Sequence, residues 1–231
     1  MRGRGEPTRS GDQDQPVSEV EKGRDWWKWH EPYDEPTSPL ARRLAVVQRQ
    51  IRESLDGREG SPIQVISLCA GQGRDLLGVL AEHPRRREVR GRLVEADPRN
   101  ARAAARRLDE LGLGEIELVC GDASMSDAVA GAVPADLILV CGVFGNISDD
   151  DVHATIAALP MMCAAGADVI WTRHTRPPDL TPTIRSWFDE AGFAEVTFDT
   201  GTDARFGVGT CRLRRDPAVF EPGTRLFSFV R

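Results

Sequence analysis

Between Val65 and Asp97 an apolar run, Val65-Ile-Ser-Leu-Cys-Ala70, breaks into Gly71-Gln72-Gly73, and a second apolar run ends Leu93-Val-Glu-Ala-Asp97. The pattern predicts a strand, a glycine turn, a helix and a second strand ending in acid. Glycine has no Cβ and tolerates positive φ, so backbone at such a turn can approach a ligand closely. The helix N-terminus beside it favours an anionic group. Glu95 stands 22 residues past Gly73, the offset at which a carboxylate at the end of the next strand grips ribose hydroxyls in a nucleotide-binding βαβ unit. An adenosine-containing ligand is therefore expected.

What is missing narrows the choice. A dinucleotide fingerprint wants a third glycine three residues after Gly73, where Leu76 stands. No Lys-Ser/Thr pair follows the glycines to hold phosphates and magnesium. NAD and ATP both lose ground.

The order of segments over roughly residues 60–231 resembles the class I S-adenosylmethionine (SAM) dependent methyltransferases. Their glycine motif is similar to Ser67-Leu-Cys-Ala-Gly-Gln-Gly73, and their ribose carboxylate to Glu95. Their acid and small residue beside the adenine resemble Asp122-Ala123, and their fourth strand resembles Ala135-Asp-Leu-Ile-Leu-Val-Cys141, with Gly142 to Asn146 under the methionine end. The resemblance implies a doubly wound, mostly parallel, seven-stranded α/β sheet with SAM as cofactor and S-adenosylhomocysteine (SAH) as product. Ala70, Gly71, Gly73, Glu95, Asp122, Ala123, Cys141 and Gly142 then become cofactor-binding candidates. Two positions depart from the family: Ser67 stands where an acid is usual and Cys69 where the first glycine is usual. Orienting the cofactor's amino group would pass to water, a backbone carbonyl or Asp75.

With 231 residues, 40% of them hydrophobic, the chain can bury the core of one α/β domain with an appendage. A net charge of −6 argues against a nucleic-acid partner, whose phosphates need a basic face. Arg85, Arg86, Arg87, Arg90 and Arg92 do cluster, and read as a solvated end of the helix after the glycine turn. Five cysteines with no Cys-x-x-Cys pair argue against zinc and predict no metal. Unpaired thiols fit a reducing compartment, and no run approaches 18 apolar residues. A cytoplasmic protein without a membrane segment is expected.

Residues 1–24 carry almost no large apolar side chains and read as a flexible tail. Residues 25–58 then form an N-terminal cover for a cofactor-binding domain at 59–231. The cover opens with Asp25-Trp-Trp-Lys-Trp-His-Glu-Pro-Tyr-Asp34. Its three tryptophans read as rings plugging the groove between an N-terminal helix and the sheet, or else as a lid over the cofactor. Ser38 and Pro39 start that helix, whose apolar face runs Leu40, Leu44, Val47, Ile51 and Leu55. It could serve a homodimer as readily as a lid. Strands are expected at 63–69, 91–95, 115–120, 135–141 and 167–172, with a final pair near 193–199 and 225–230.

Methyl transfer needs alignment, exclusion of water and a nucleophile relieved of its proton. His174, just beyond the fifth strand, is the first candidate base, and His30 the second. Tyr33 joins the cofactor-binding candidates because it lies with His30 and Asp34 in a polar cluster of the cover. Arg173 and Arg176 could anchor a substrate carboxylate or simply face water. The leading expectation is an enzyme methylating oxygen or nitrogen of a small-molecule acceptor. An RNA or protein methyltransferase, and a non-catalytic Rossmann-like regulatory protein, remain the alternatives.

Overall fold

The computed structural model describes residues 25–201 and 205–230; the expected flexible tail lies outside the described residues. Seven strands form one sheet: β1 (Ile63–Leu68), β2 (Val89–Glu95), β3 (Ile116–Cys120), β4 (Ala135–Val140), β5 (Cys163–His174), β6 (Phe193–Asp199) and β7 (Phe206–Leu213). Their order is β3-β2-β1-β4-β5-β7-β6. The first five strands are parallel, and β7 runs antiparallel to both β5 and β6.

Helices cover both faces, which is why the central strands are near-continuous apolar runs. These are α1 (Trp26–Trp29), α2 (Pro39–Asp56), α3 (Leu76–Leu80), α4 (Pro98–Leu111), α5 (Asp149–Ala158) and α6 (Thr181–Glu190). Helices α2, α3 and α4 send Val47, Ile51, Leu55, Leu76, Leu80 and Leu108 into one core cluster. Helices α5 and α6 send Val152, Ile156, Ile184 and Phe188 into the other. The helix starts follow side-chain caps: Ser38 accepts from the Ala41 amide at 3.0 Å, Asp97 from Arg99 at 2.8 Å and Ser148 from Asp151 at 3.1 Å.

Polar contacts fix α2 across the far half of the sheet. Asp168, buried in β5, accepts from Ser54 of α2 at 2.7 Å and from Arg212 of β7 at 2.7 and 3.0 Å. Thr210 of β7 donates to Gln50 of α2 at 2.7 Å. These contacts set where the N-terminal segment must start its path over the strand ends.

Two expectations are corrected here. The last strand is Phe206–Leu213, not 225–230. Its glycines make it look like a loop, yet they give room to aromatic rings: a Cβ on Gly209 would stand 2.4 Å from the Trp171 indole, and one on Gly207 2.7 Å from the Phe198 ring. Residues 225–230 instead make isolated bridges, Met125 to Arg225 and Ile147 to Phe229, and bury Leu226 and Phe227 against the α5 side of the core. The arginine cluster divides and does not cap one helix as a group: Arg86 donates to the carbonyl of Ala81, the C-cap of α3, at 3.2 Å. Arg85 donates to the carbonyls of Leu55, Arg58 and Gly60 beyond α2, while Arg90 and Arg92 lie on β2. Arg92 pairs with Glu117 at 2.6 Å.

The chain leaves β1 toward β2 and returns on its other side at β4, so the two strands flank the topological switch point. Ligands of open α/β sheets bind outside the carboxyl ends of the strands at such a point.

Candidate active site

The loops after β1, β2 and β4 meet there around a cavity of about 1030 Å³, counting the space open to solvent. Ala70, Gly71 and Asp75 form the wall after β1, Glu95 that after β2, Asp122 and Ala123 that after β3, and Cys141 and Gly142 that after β4.

Gly71 has a φ of +57° and its amide donates to Glu95 at 2.7 Å. The other Glu95 oxygen accepts from the Asp97 amide at 2.8 Å. Burial pushes the Glu95 carboxyl up, and these amides oppose that by favouring the carboxylate. A carboxylate has about four lone-pair sites, so two remain to accept from a diol. Cys69, where the resembled family has its first glycine, adopts a φ of 53° and is the one non-glycine with positive φ among the described residues. The backbone path of the motif is thus kept at a steric cost that glycine would not incur.

Ser67 is buried within β1 and stays off the wall. Asp75 caps α3 by accepting from the Leu76 amide at 2.7 Å, and burial raises its carboxyl. Gly73 is not brought to the cavity: a Cβ there would stand 2.7 Å from Leu77, so its bareness serves the packing of α3.

The aromatic segment roofs this cavity. No residue of α1 is buried, so the tryptophans do not plug the groove beneath α2; Trp26 and Trp29 line the cavity with His30 and Tyr33. Two of these rings lie on the two glycines of the strand ends. A Cβ on Gly71 would stand 2.3 Å from His30 Nε2, and one on Gly142 3.7 Å from Trp29. His30 Nδ1 is 2.6 Å from the Trp26 carbonyl, so Nδ1 carries the proton and Nε2 faces the glycine turn. Burial lowers the pKa of His30, and Arg74 and Arg43 add to the effect. The Tyr33 hydroxyl accepts from Arg43 at 2.7 Å, and burial raises its pKa. Ion pairs tie the two ends of the segment, Asp25 to Arg99 at 2.8 Å and Asp34 to Arg74 at 2.6 Å.

His174 lies elsewhere. It lines a second cavity, about 1270 Å³ with the space open to solvent, that also reaches Trp29, Arg43 and Gly142. The two cavities therefore meet at the end of β4. Arg173, also on the second cavity, donates to the Phe144 carbonyl and faces Asp149 at 3.5 Å. Sequence reasoning missed Arg43, Asn100 and Phe229 of the first cavity. Arg43 projects from the polar flank of α2, and Phe229 arrives from the far end of the chain to meet Trp26, ring centroids 5.7 Å apart.

A sequence profile of a family described as "Putative methyltransferase" matches residues 40–192, about two thirds of the chain. The chain belongs to this methyltransferase family. The match takes in α2 and every strand-end loop of the first cavity, and leaves the aromatic roof outside it. No curated protein sequence matches the chain.

Solved structures with the methyltransferase fold agree. Magnesium protoporphyrin IX methyltransferase from Synechocystis PCC 6803, solved with bound SAM, superposes with a TM-score of 0.63 at 11% identity, over 82% of this chain and 91% of that one. A 1,6-didemethyltoxoflavin-N1-methyltransferase from Burkholderia thailandensis gives 0.60 at 15% identity, over 82% and 87%. A possible exported protein from Bordetella parapertussis gives 0.63 at 18% identity, over 82% and 79%. At these identities the likeness shows the class I methyltransferase fold: a seven-stranded, mostly parallel sheet with one antiparallel strand in its second half. No helix among the described residues is long and apolar enough to cross a membrane.

Proposed function

We propose that this methyltransferase uses SAM to methylate an oxygen or nitrogen of a small molecule, with the cofactor in the first cavity and the acceptor in the second. One observation carries the reading: the two cavities share Trp29, Arg43 and Gly142. Donor and acceptor sites that meet at one strand end are what an in-line displacement requires. The residues of the first cavity suit the cofactor. The Gly71 turn leaves room for a close ligand, Glu95 keeps acceptor capacity for ribose hydroxyls, and Asp122 and Ala123 sit where an adenine amine would meet an acid and an amide.

When bound, SAM supplies a methyl group on a sulfonium for direct displacement. Trp29, beside Gly142 and with the Arg43 guanidinium 5.6 Å from its ring centroid, excludes water from the junction. His174 is on the acceptor side, where an imidazole can take a proton near neutral pH. His30, bonded to the Trp26 carbonyl and set against Gly71, acts on the cofactor side as part of the roof. The net charge of −6 favours a small acceptor over RNA, whose phosphates need a basic face. All five cysteines are free, which supports a cytoplasmic location.

The test is transfer of label from methyl-labelled SAM in the presence of cell extract. Label moving into the small-molecule fraction with wild type, and at least tenfold less with His174→Ala, is expected. Label retained by macromolecules, or no transfer with any fraction, would overturn the reading.

A further inference from the structure

The chain has 36 acidic against 30 basic residues, yet among the described residues the second cavity is lined by Arg43, Arg173, Arg176, Arg205 and His174 and by no carboxylate. Four guanidinium groups gathered in one concave space of an acidic protein, with no carboxylate among the described lining residues, make a local positive field. The arginines are not equivalent. Arg43 is spent on the Tyr33 hydroxyl and Arg173 on the Phe144 carbonyl and Asp149. Arg176 and Arg205 are exposed, and neither is in an ion pair among the described residues.

The fold places them together. In the antiparallel register His174 of β5 faces Phe206 of β7, and just beyond it the Thr175 amide donates to the Arg205 carbonyl at 3.3 Å. Arg176 and Arg205 thus both follow the same end of the β5–β7 pair, and both line the cavity. Its wall also carries the apolar side chains of Trp29, Leu40 and Phe206, with Asn146 and Thr172 as neutral polar groups.

We propose that the acceptor is an apolar acid: its anionic group pairs with Arg176 and Arg205, and its body packs on Trp29, Leu40 and Phe206. The planar guanidinium fork matches a carboxylate or a phosphate in two-point contact, whereas a neutral acceptor would leave both charges idle. This rests on the reading of the second cavity as the acceptor site and specifies its chemical class.

The experiment is calorimetric titration of the full chain saturated with SAH. The probes are 1-naphthoate, its uncharged isostere 1-naphthamide, and 1-naphthyl phosphate. Expected is binding of one or both anions at least tenfold tighter than the amide, reduced at least tenfold in Arg176→Gln/Arg205→Gln. Amide binding and SAH binding should be unchanged in that variant, and Arg107→Gln on α4 should leave every titration as in wild type. The stronger of the two anions identifies the group as carboxylate or phosphate. Equal binding of amide and anions, no binding of any probe, or anion binding indifferent to the double variant would each overturn the inference while SAH binding stands. Failure of SAH to bind at all would instead remove the reading on which it rests.

Discussion

At the residue scale, the site depends on bare backbone at two strand ends and on the rings laid over it. His30 occupies the space a Gly71 side chain would need, and it does so as a neutral imidazole. Its ordinary pKa near 6.5 is lowered in the fold, with burial the largest cause. The unfolded chain then binds the proton more readily than the folded one below that pH. The contribution of neutral His30 is therefore fully present above about 6.5 and is lost as pH falls toward the folded value. Urea unfolding of wild type and His30→Asn between pH 8 and 5 checks this. Wild type should lose stability on acidification relative to the variant, and parallel pH profiles would contradict the assignment. Cys69 marks the same turn from the other side: its left-handed backbone, imposed by a family path that usually runs through glycine, is where local preference yields to the site.

At the scale of elements, the segment Asp25–Asp34 is a cover held at both ends. Its two ion pairs involve largely exposed side chains, Arg99 at 46% and Asp34 at 72%. Solvent screens such pairs, so each contributes little. A cover latched this weakly is expected to open for cofactor exchange, with its aromatic contacts as the remaining hold. Asp25→Asn combined with Asp34→Asn removes both latches, and asparagine still caps α1. Together they should weaken SAH binding about fivefold, mainly through faster release, with the melting temperature nearly unchanged. Stopped-flow release measurements decide it, and unchanged release rates would mean the segment is static wall.

At the scale of the whole molecule, the first half of the sheet was legible because each of its devices is local. Gly71 and Glu95 announce themselves by position in short apolar runs, Asp122 by the family resemblance, and Ser38, Asp97 and Ser148 cap their helices as their neighbours demand. The second half was less legible because its reasons are distant in sequence. Gly207 and Gly209 make sense only beside Phe198 and Trp171, so β7 reads as a loop until those rings are placed. Phe229 reaches the cavity by a return path that no periodicity encodes, and Arg43 by the direction in which Asp168, Ser54 and Arg212 fix α2. The tryptophans stayed open to two readings because aromatic density alone does not tell a roof from a plug.

The central claim is that the cavity at the β1 and β4 ends is a SAM site gripped by Glu95. Calorimetric titration of the purified chain with SAM, SAH and NADH, beside a Glu95→Gln variant of matched melting temperature, tests it most directly. The account predicts micromolar binding of SAM and SAH, at least tenfold weaker in the variant, and no binding of NADH. Binding of NADH alone, or SAM binding that ignores Glu95, would contradict it.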